Sequence, residues 1–183
     1  MSDYGEITEA GAIRYDRLLP GPIERVWEYL TDSEKRGRWL MPGPMEPRVG
    51  GRIEFFFRHS NLTPHDEPTP EKYRNLEADV PTSTGTVTRY EPPRGLSFTW
   101  NETTAKKEGR IPSEVSIDLT PVGDKVRLIL VHRRLNDAGM RSVSGGWHVH
   151  LGLLADKLEG RTPPPFWATH ARLEAEYAQR LGL

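Results

Sequence analysis

Six histidines are the residues of this 183-residue chain best suited to bind a ligand or move a proton near neutral pH. His132 continues the alternating face of Val126, Leu128 and Leu130, so it points where those aliphatic side chains point. It can serve there as a ligand anchor, as a general acid or base, or as a buried histidine hydrogen-bonded in place. His150 flanks the apolar stripe of a long helix and can converge with it. His148 lies roughly 200° away around the same helix, whereas a shared metal ion would need partners at i and i+4. No metal and no cofactor is expected. His59 and His65 fall in a polar stretch and are expected in solvent. With no cysteine, thiol nucleophiles, thiolate metal sites and disulfides are excluded.

A second group is aromatic. Trp39, Phe55, Phe57, Trp100 and Trp147 could line an apolar cavity or could be ordinary core. Other signatures are missing. Gly50-Gly51 and Gly145-Gly146 lack the spacing of a phosphate loop, and Ser144 has no Gly-x-Ser-x-Gly frame. Glu24, Glu28, Asp32 and Glu34 read as a solvated helix face.

The element that must position these residues is the stretch from Gly139 to Gly160. On a helical wheel Met140, Val143, Trp147, Leu151, Leu154 and Leu158 fall within a stripe roughly 80° wide. Gly160 and the prolines from Pro163 end the helix. Its back carries Val149 and Leu153 beside Gly145 and Gly152, so it is not wholly polar. Most of the preceding chain alternates like antiparallel strands. Ala12 to Leu19 is a first strand. Pro22 opens a helix with Ile23, Val26, Trp27 and Leu30 at helical spacing, and Thr31 with Glu34 has the spacing of a capping box for a second, short helix. Ile53, Phe55 and Phe57 share one face of a strand. Two hairpins follow, one turning at Pro92 to Gly95 and the other at Gly123-Asp124, with a charged connection from Ala105 to Arg110 between them. The stretch from His59 to Thr82 is polar, proline-rich and without period, and reads as an inserted surface loop.

The totals bound the rest. The length suits one domain plus a tail. A formal charge of −1 gives no net basic surface, so nucleic acid is not an expected partner. There is no apolar run long enough to span a membrane and no readable leader, and cytoplasmic is the default location.

Taken in order, these residues resemble a family. Pro22-x3-Val26-Trp27-x2-Leu30-Thr31-Asp32, then Trp39, Gly50-Gly51, Leu96-x3-Trp100, Leu128-x-Leu130-x-His132 and Gly146-Trp147 with Leu151, Leu154, Leu158, Glu159 and Gly160 are similar to the START-like SRPBCC superfamily. Within it they most resemble the branch named after the activator of the heat-shock ATPase. The resemblance implies an α+β helix-grip fold: a curved antiparallel sheet of about six strands around the long helix, with two short helices. It further implies a cavity for a small hydrophobic ligand, with Trp39 and Met41 at its mouth. The expected cavity residues are then Trp39, Met41, Phe55, Phe57, Trp100, His132, Trp147, Leu151 and Leu154.

The expected organisation is a helix-grip domain over residues 1–160, with the loop 59–82 inserted, and a tail helix over 161–183. In the tail Phe166, His170, Leu173, Tyr177 and Leu181 make one stripe. That stripe must pack on the domain or on a partner subunit, giving a homodimer in the second case. The expected function is binding of a small hydrophobic molecule. The alternatives are a cyclase or hydratase-like enzyme using His132 and His150 in the same cavity, and a chaperone-interacting protein.

Overall fold

Alternation builds the sheet. In β2 (Ala12–Pro20) Ile13, Tyr15 and Leu19 are buried on one face. β7 (Lys125–Arg133) and β6 (Ser113–Val122) match them across the ladder, with Ile13 opposite His132, Tyr15 opposite Leu130 and Ile117 opposite Leu130. A one-residue slip would turn this whole set to water, which fixes the register. β4 (Ser83–Glu91) and β5 (Gly95–Trp100) form the other hairpin, and β3 (Arg52–Phe55) closes that edge. The computed structural model describes residues 3–57, 59–76 and 82–182. Among them the strands form one seven-stranded antiparallel sheet in the order β1-β2-β7-β6-β5-β4-β3. The strand beyond the expected six is β1 (Glu6–Glu9), which is exposed throughout and so carries no hydrophobic alternation.

α1 (Ile23–Thr31) buries Val26, Trp27, Tyr29 and Leu30. The expected capping box is corrected. α1 runs through Thr31, whose hydroxyl donates back to the Trp27 carbonyl at 3.0 Å. Asp32 caps α2 (Ser33–Gly37) instead, its carboxylate accepting from the Lys35 amide at 2.9 Å. The charged connection between the hairpins is α3 (Glu102–Lys107).

α4 (Asp137–Glu159) is the gripped helix. Asn136 caps it by accepting from the Gly139 amide at 2.8 Å, and Gly160 ends it at φ 69°. Met140, Trp147, Leu151, Leu154 and Leu158 are buried on its sheet side, where the Tyr15 hydroxyl also donates to the Ser144 carbonyl at 2.7 Å. Val149 and Leu153 are buried too. Across that back lies α5 (Phe166–Leu181), whose buried residues are Phe166, Trp167, His170, Leu173 and Tyr177. A Cβ on Gly145 would meet the Glu174 amide nitrogen at 3.2 Å, so the glycine lets the two helix backbones approach. The apolar stripe of the tail is thus buried within its own chain.

The described part of the inserted stretch, residues 59–76, is not a free surface loop, and residues 77–81 lie outside the described residues. His59–Asn61 and Glu71–Leu76 are 3-10 turns, and Leu62 is fully buried. Glu67 accepts from the Trp167 and Ala168 amides, both at 3.0 Å, and so caps α5 from across the chain. Lys72 pairs with Glu174 at 2.8 Å, and Tyr73 stacks on Trp167 at 5.0 Å. The amide of Gly5 donates to the Tyr177 hydroxyl at 2.6 Å, which ties the N-terminal segment to the same helix. Among the described residues, no helix is long and apolar enough to cross a membrane.

Candidate functional site

One helix cannot cover a seven-stranded sheet, and the space left over is a cavity of about 370 Å³. It lies between α4, the strand ends that carry Trp100 and Ser113, α3, the Leu40-Met41 segment, and a wall made by α5 and the inserted stretch. Trp100 and Trp147 face each other across ring centroids 5.6 Å apart. Phe57, His59, Tyr73, Phe166, Trp167 and His170 supply the remaining aromatic lining, with His150 among them.

His132 is beside this cavity rather than in its lining. The Trp147 indole donates to His132 Nδ1 at 3.0 Å, and Nε2 meets the Ser113 hydroxyl at 2.9 Å. An indole N–H can only donate, so Nδ1 is the bare nitrogen and Nε2 carries the proton that Ser113 accepts. Burial, with the charge of Arg134 acting in the same direction, pushes the imidazole down to about 3. With both nitrogens used and the ring fully buried, His132 positions Trp147 and Ser113 and has no free atom for proton transfer. Ser113 lines the cavity and retains its own hydrogen for donation.

His150 is placed differently. Its Nδ1 meets the Trp39 carbonyl at 2.7 Å, and because a carbonyl only accepts, Nε2 keeps the lone pair. Burial lowers its pKa to about 4 against the raising effect of that hydrogen bond. His59 stacks on Phe57 and packs against His150, Phe166 and Trp167, with centroids 4.8 to 5.7 Å away. It is 7% exposed, which corrects the expectation of a solvated side chain. Burial, with the charges of His150 and His170, pulls it down to about 3. His65 is exposed, and its Nε2 meets the Pro163 carbonyl at 3.1 Å.

Of the expected cavity residues, Met41, Phe57, Trp100 and Trp147 line the space, as does His150. Trp39, Phe55, His132, Leu151 and Leu154 are packed core beside it. Trp39 is turned away by its own indole, which donates to the Tyr29 carbonyl at 2.8 Å. Phe55 is held under Phe98 and Trp100, and Leu151 and Leu154 are fully buried. Arg36, 2% exposed, donates to the carbonyls of Met41 at 3.1 Å and Gly43 at 2.5 Å, and so fixes the segment that presents Met41. The lining from Tyr73, Trp167 and His170 escaped the sequence reading, although Phe166 and His170 were visible as part of an unpartnered helical stripe. Among the described residues, no group of three or more histidine or acidic side chains could hold a metal ion.

Comparison with known proteins agrees with this architecture. The family model described as "Activator of Hsp90 ATPase homolog 1-like protein" matches residues 20–159. A protein of Bordetella parapertussis with a solution NMR structure is 46% identical, with a TM-score of 0.78 over 97% of this chain and 90% of that one. CalU16 from Micromonospora echinospora is 23% identical, with a TM-score of 0.66 over 96% and 93% of the two chains. The Aha1 dimer from Colwellia psychrerythraea is 18% identical, with a TM-score of 0.60 over 81% and 96%. The last two likenesses are of fold. No curated protein matches the chain. The helix-grip fold and the SRPBCC resemblance, down to its heat-shock-activator branch, are borne out.

Proposed function

The chain belongs to the family of activator of Hsp90 ATPase homolog 1-like proteins, and from that premise we propose that it binds a small hydrophobic molecule between the sheet and α4. The observation that carries this reading is the cavity itself. Its volume of about 370 Å³ lies within the range of ligand pockets, roughly 300–1,000 Å³, and its lining is mainly apolar. Native mass spectrometry of the purified protein, followed by organic extraction, tests it. A co-purifying hydrophobic molecule near one per chain is the expected result. A clean protein mass that also takes up no naphthalene-sized apolar probe on titration would sink the reading.

A second reading, a cyclase or hydratase-like enzyme, is favoured by one observation: His150 lines the cavity with Nδ1 held by the Trp39 carbonyl, which fixes its tautomer. In that reading His150 accepts a proton at Nε2 and Ser113 donates a hydrogen bond, while His132 only orients Ser113. Turnover lost in His150→Phe with probe binding retained would favour it. The chaperone-interacting reading rests on the family's description alone, and a pull-down with purified chaperone decides it. A homodimer, the assembly in which the Colwellia relative is described, would use a surface other than the apolar stripe of α5.

A further inference from the structure

Among the described residues, two buried polar atoms on one wall of the cavity have no hydrogen-bond partner, Trp167 Nε1 and His59 Nδ1. Both residues line the cavity, each is 7% exposed, and their rings lie 5.0 Å apart. Buried donors and acceptors are nearly always satisfied, so two unmet atoms on residues that line one space ask for a group that would complete them. The indole N–H can only donate, so the atom opposite it must accept. A neutral imidazole nitrogen donates or accepts according to tautomer. A single oxygen, carbonyl or phenolic, answers both.

The surroundings fix the shape and charge of the molecule that carries this oxygen. Trp167 stacks on Tyr73 with planes 14° apart, and His59 stacks on Phe57 with planes 23° apart. Phe166 touches both, at 4.9 Å from Trp167 and 4.8 Å from His59. Such a wall favours a flat ring in offset or edge contact. Burial keeps His59 and His150 neutral near pH 7, and the two arginines of the cavity lining, Arg110 and Arg134, are paired with Glu108 and Glu114, so this wall offers no uncompensated positive charge to an anion.

We propose that Trp167 Nε1 and His59 Nδ1 form a polar anchor for the oxygen of a flat, uncharged aromatic ligand. The anchor rests on the ligand-binding reading above and deepens it to a ligand class. It also gives α5, which lies beyond the matched family segment, a share in recognition.

The test uses the full chain and two probes of one shape, 2-naphthol and 2-methylnaphthalene, titrated by calorimetry into the wild type and Trp167→Phe. Comparing the ratio of the two affinities between proteins removes the difference in their hydrophobicity. The substitution is expected to shift that ratio against naphthol by roughly fivefold, the worth of one buried hydrogen bond. In a proton–nitrogen correlation spectrum the indole resonance absent from Trp167→Phe should move downfield with naphthol and stay in place with methylnaphthalene. If both probes bind, a ratio unchanged within about twofold and a stationary resonance overturn the anchor and leave the pocket reading intact. If neither probe binds, the pocket reading fails and takes the anchor with it. Should Trp167→Phe not fold, His59→Phe removes the other atom, keeps a ring, and supports the same comparison.

Discussion

Trp147 donates its indole N–H to His132 Nδ1 across 3.0 Å, and this one contact settles the tautomer of a histidine at the centre of the core. The proton is forced onto Nε2, the Ser113 oxygen accepts it, and the Ser113 hydrogen is directed elsewhere. A helix residue thereby sets the polarity of a strand residue through the imidazole between them.

Replacing Trp147 by Phe keeps most of the ring and removes the donor. His132 Nδ1 is then buried without a partner, at a cost of about 1–3 kcal/mol. The urea midpoint of Trp147→Phe should fall accordingly, and an unchanged midpoint would show that the contact is energetically idle.

Acid should weaken the fold through its histidines. Burial holds His59 and His132 at about 3 and His150 at about 4, all below the ordinary value of 6.5. Below pH 6.5 the unfolded chain takes up protons that the folded chain refuses. Each such histidine therefore removes up to about 1.4 kcal/mol per pH unit between its unfolded and folded values. The stabilisation is complete above pH 6.5 and is lost as pH falls toward 4 and then 3. Denaturant midpoints should be flat from pH 7 to 8 and lower at pH 5; equal midpoints at pH 5 and 7.5 would contradict the assignment.

Gly145 and Gly152 share α4 and should respond oppositely to a side chain. A Cβ at Gly145 meets the Glu174 backbone nitrogen at 3.2 Å, whereas one at Gly152 meets nothing within 4 Å. Gly145→Val should push α5 off and cost about 1–3 kcal/mol. Gly152→Ala should gain about 0.5–1 kcal/mol from helix propensity. Thermal melts of the pair decide it, and a shift of the same sign in both would count against close helix packing at Gly145.

Gly146 lines the cavity, and a Cβ there also meets nothing within 4 Å. Gly146→Leu should therefore fill part of the space, abolish uptake of a naphthalene-sized probe and leave the melting temperature within a few degrees of the wild type. Undiminished uptake would mean that the ligand lies elsewhere.

Glu67→Gln tests the cap that the inserted stretch places on α5. The amide side chain can accept one of the two backbone bonds but brings no charge to the helix terminus. A loss of about 0.5–1 kcal/mol is expected, and it should shrink in high salt. A salt-independent loss would point to packing rather than charge.

Much of the fold was legible because it depends on local period. Val126, Leu128, Leu130 and His132 announce a strand face, and Met140, Trp147, Leu151 and Leu154 announce the gripped helix, whatever lies around them. β1 was invisible because both its faces are wet, and α3 because Glu102 to Lys107 bury only Ala105. The site was harder to read. Sequence can show that Trp39 and Trp100 are both aromatic, but only three-dimensional contacts reveal that the first spends its indole on Tyr29 while the second opens onto a cavity. His59 was misplaced for a related reason: a polar, proline-rich setting says solvent, yet Phe166 and Trp167, a hundred residues on, bury it.

The family match ends at residue 159, and Phe166, Trp167 and His170 all come after it. The α5 share of the wall therefore follows the scaffold in the chain, while Phe57, His59 and Tyr73 supply the rest from between β3 and β4. Residues of α5 can be exchanged without shifting any strand register, so selectivity could diverge, in nature or at the bench, by rewriting a single terminal helix while the grip beneath it stays constant.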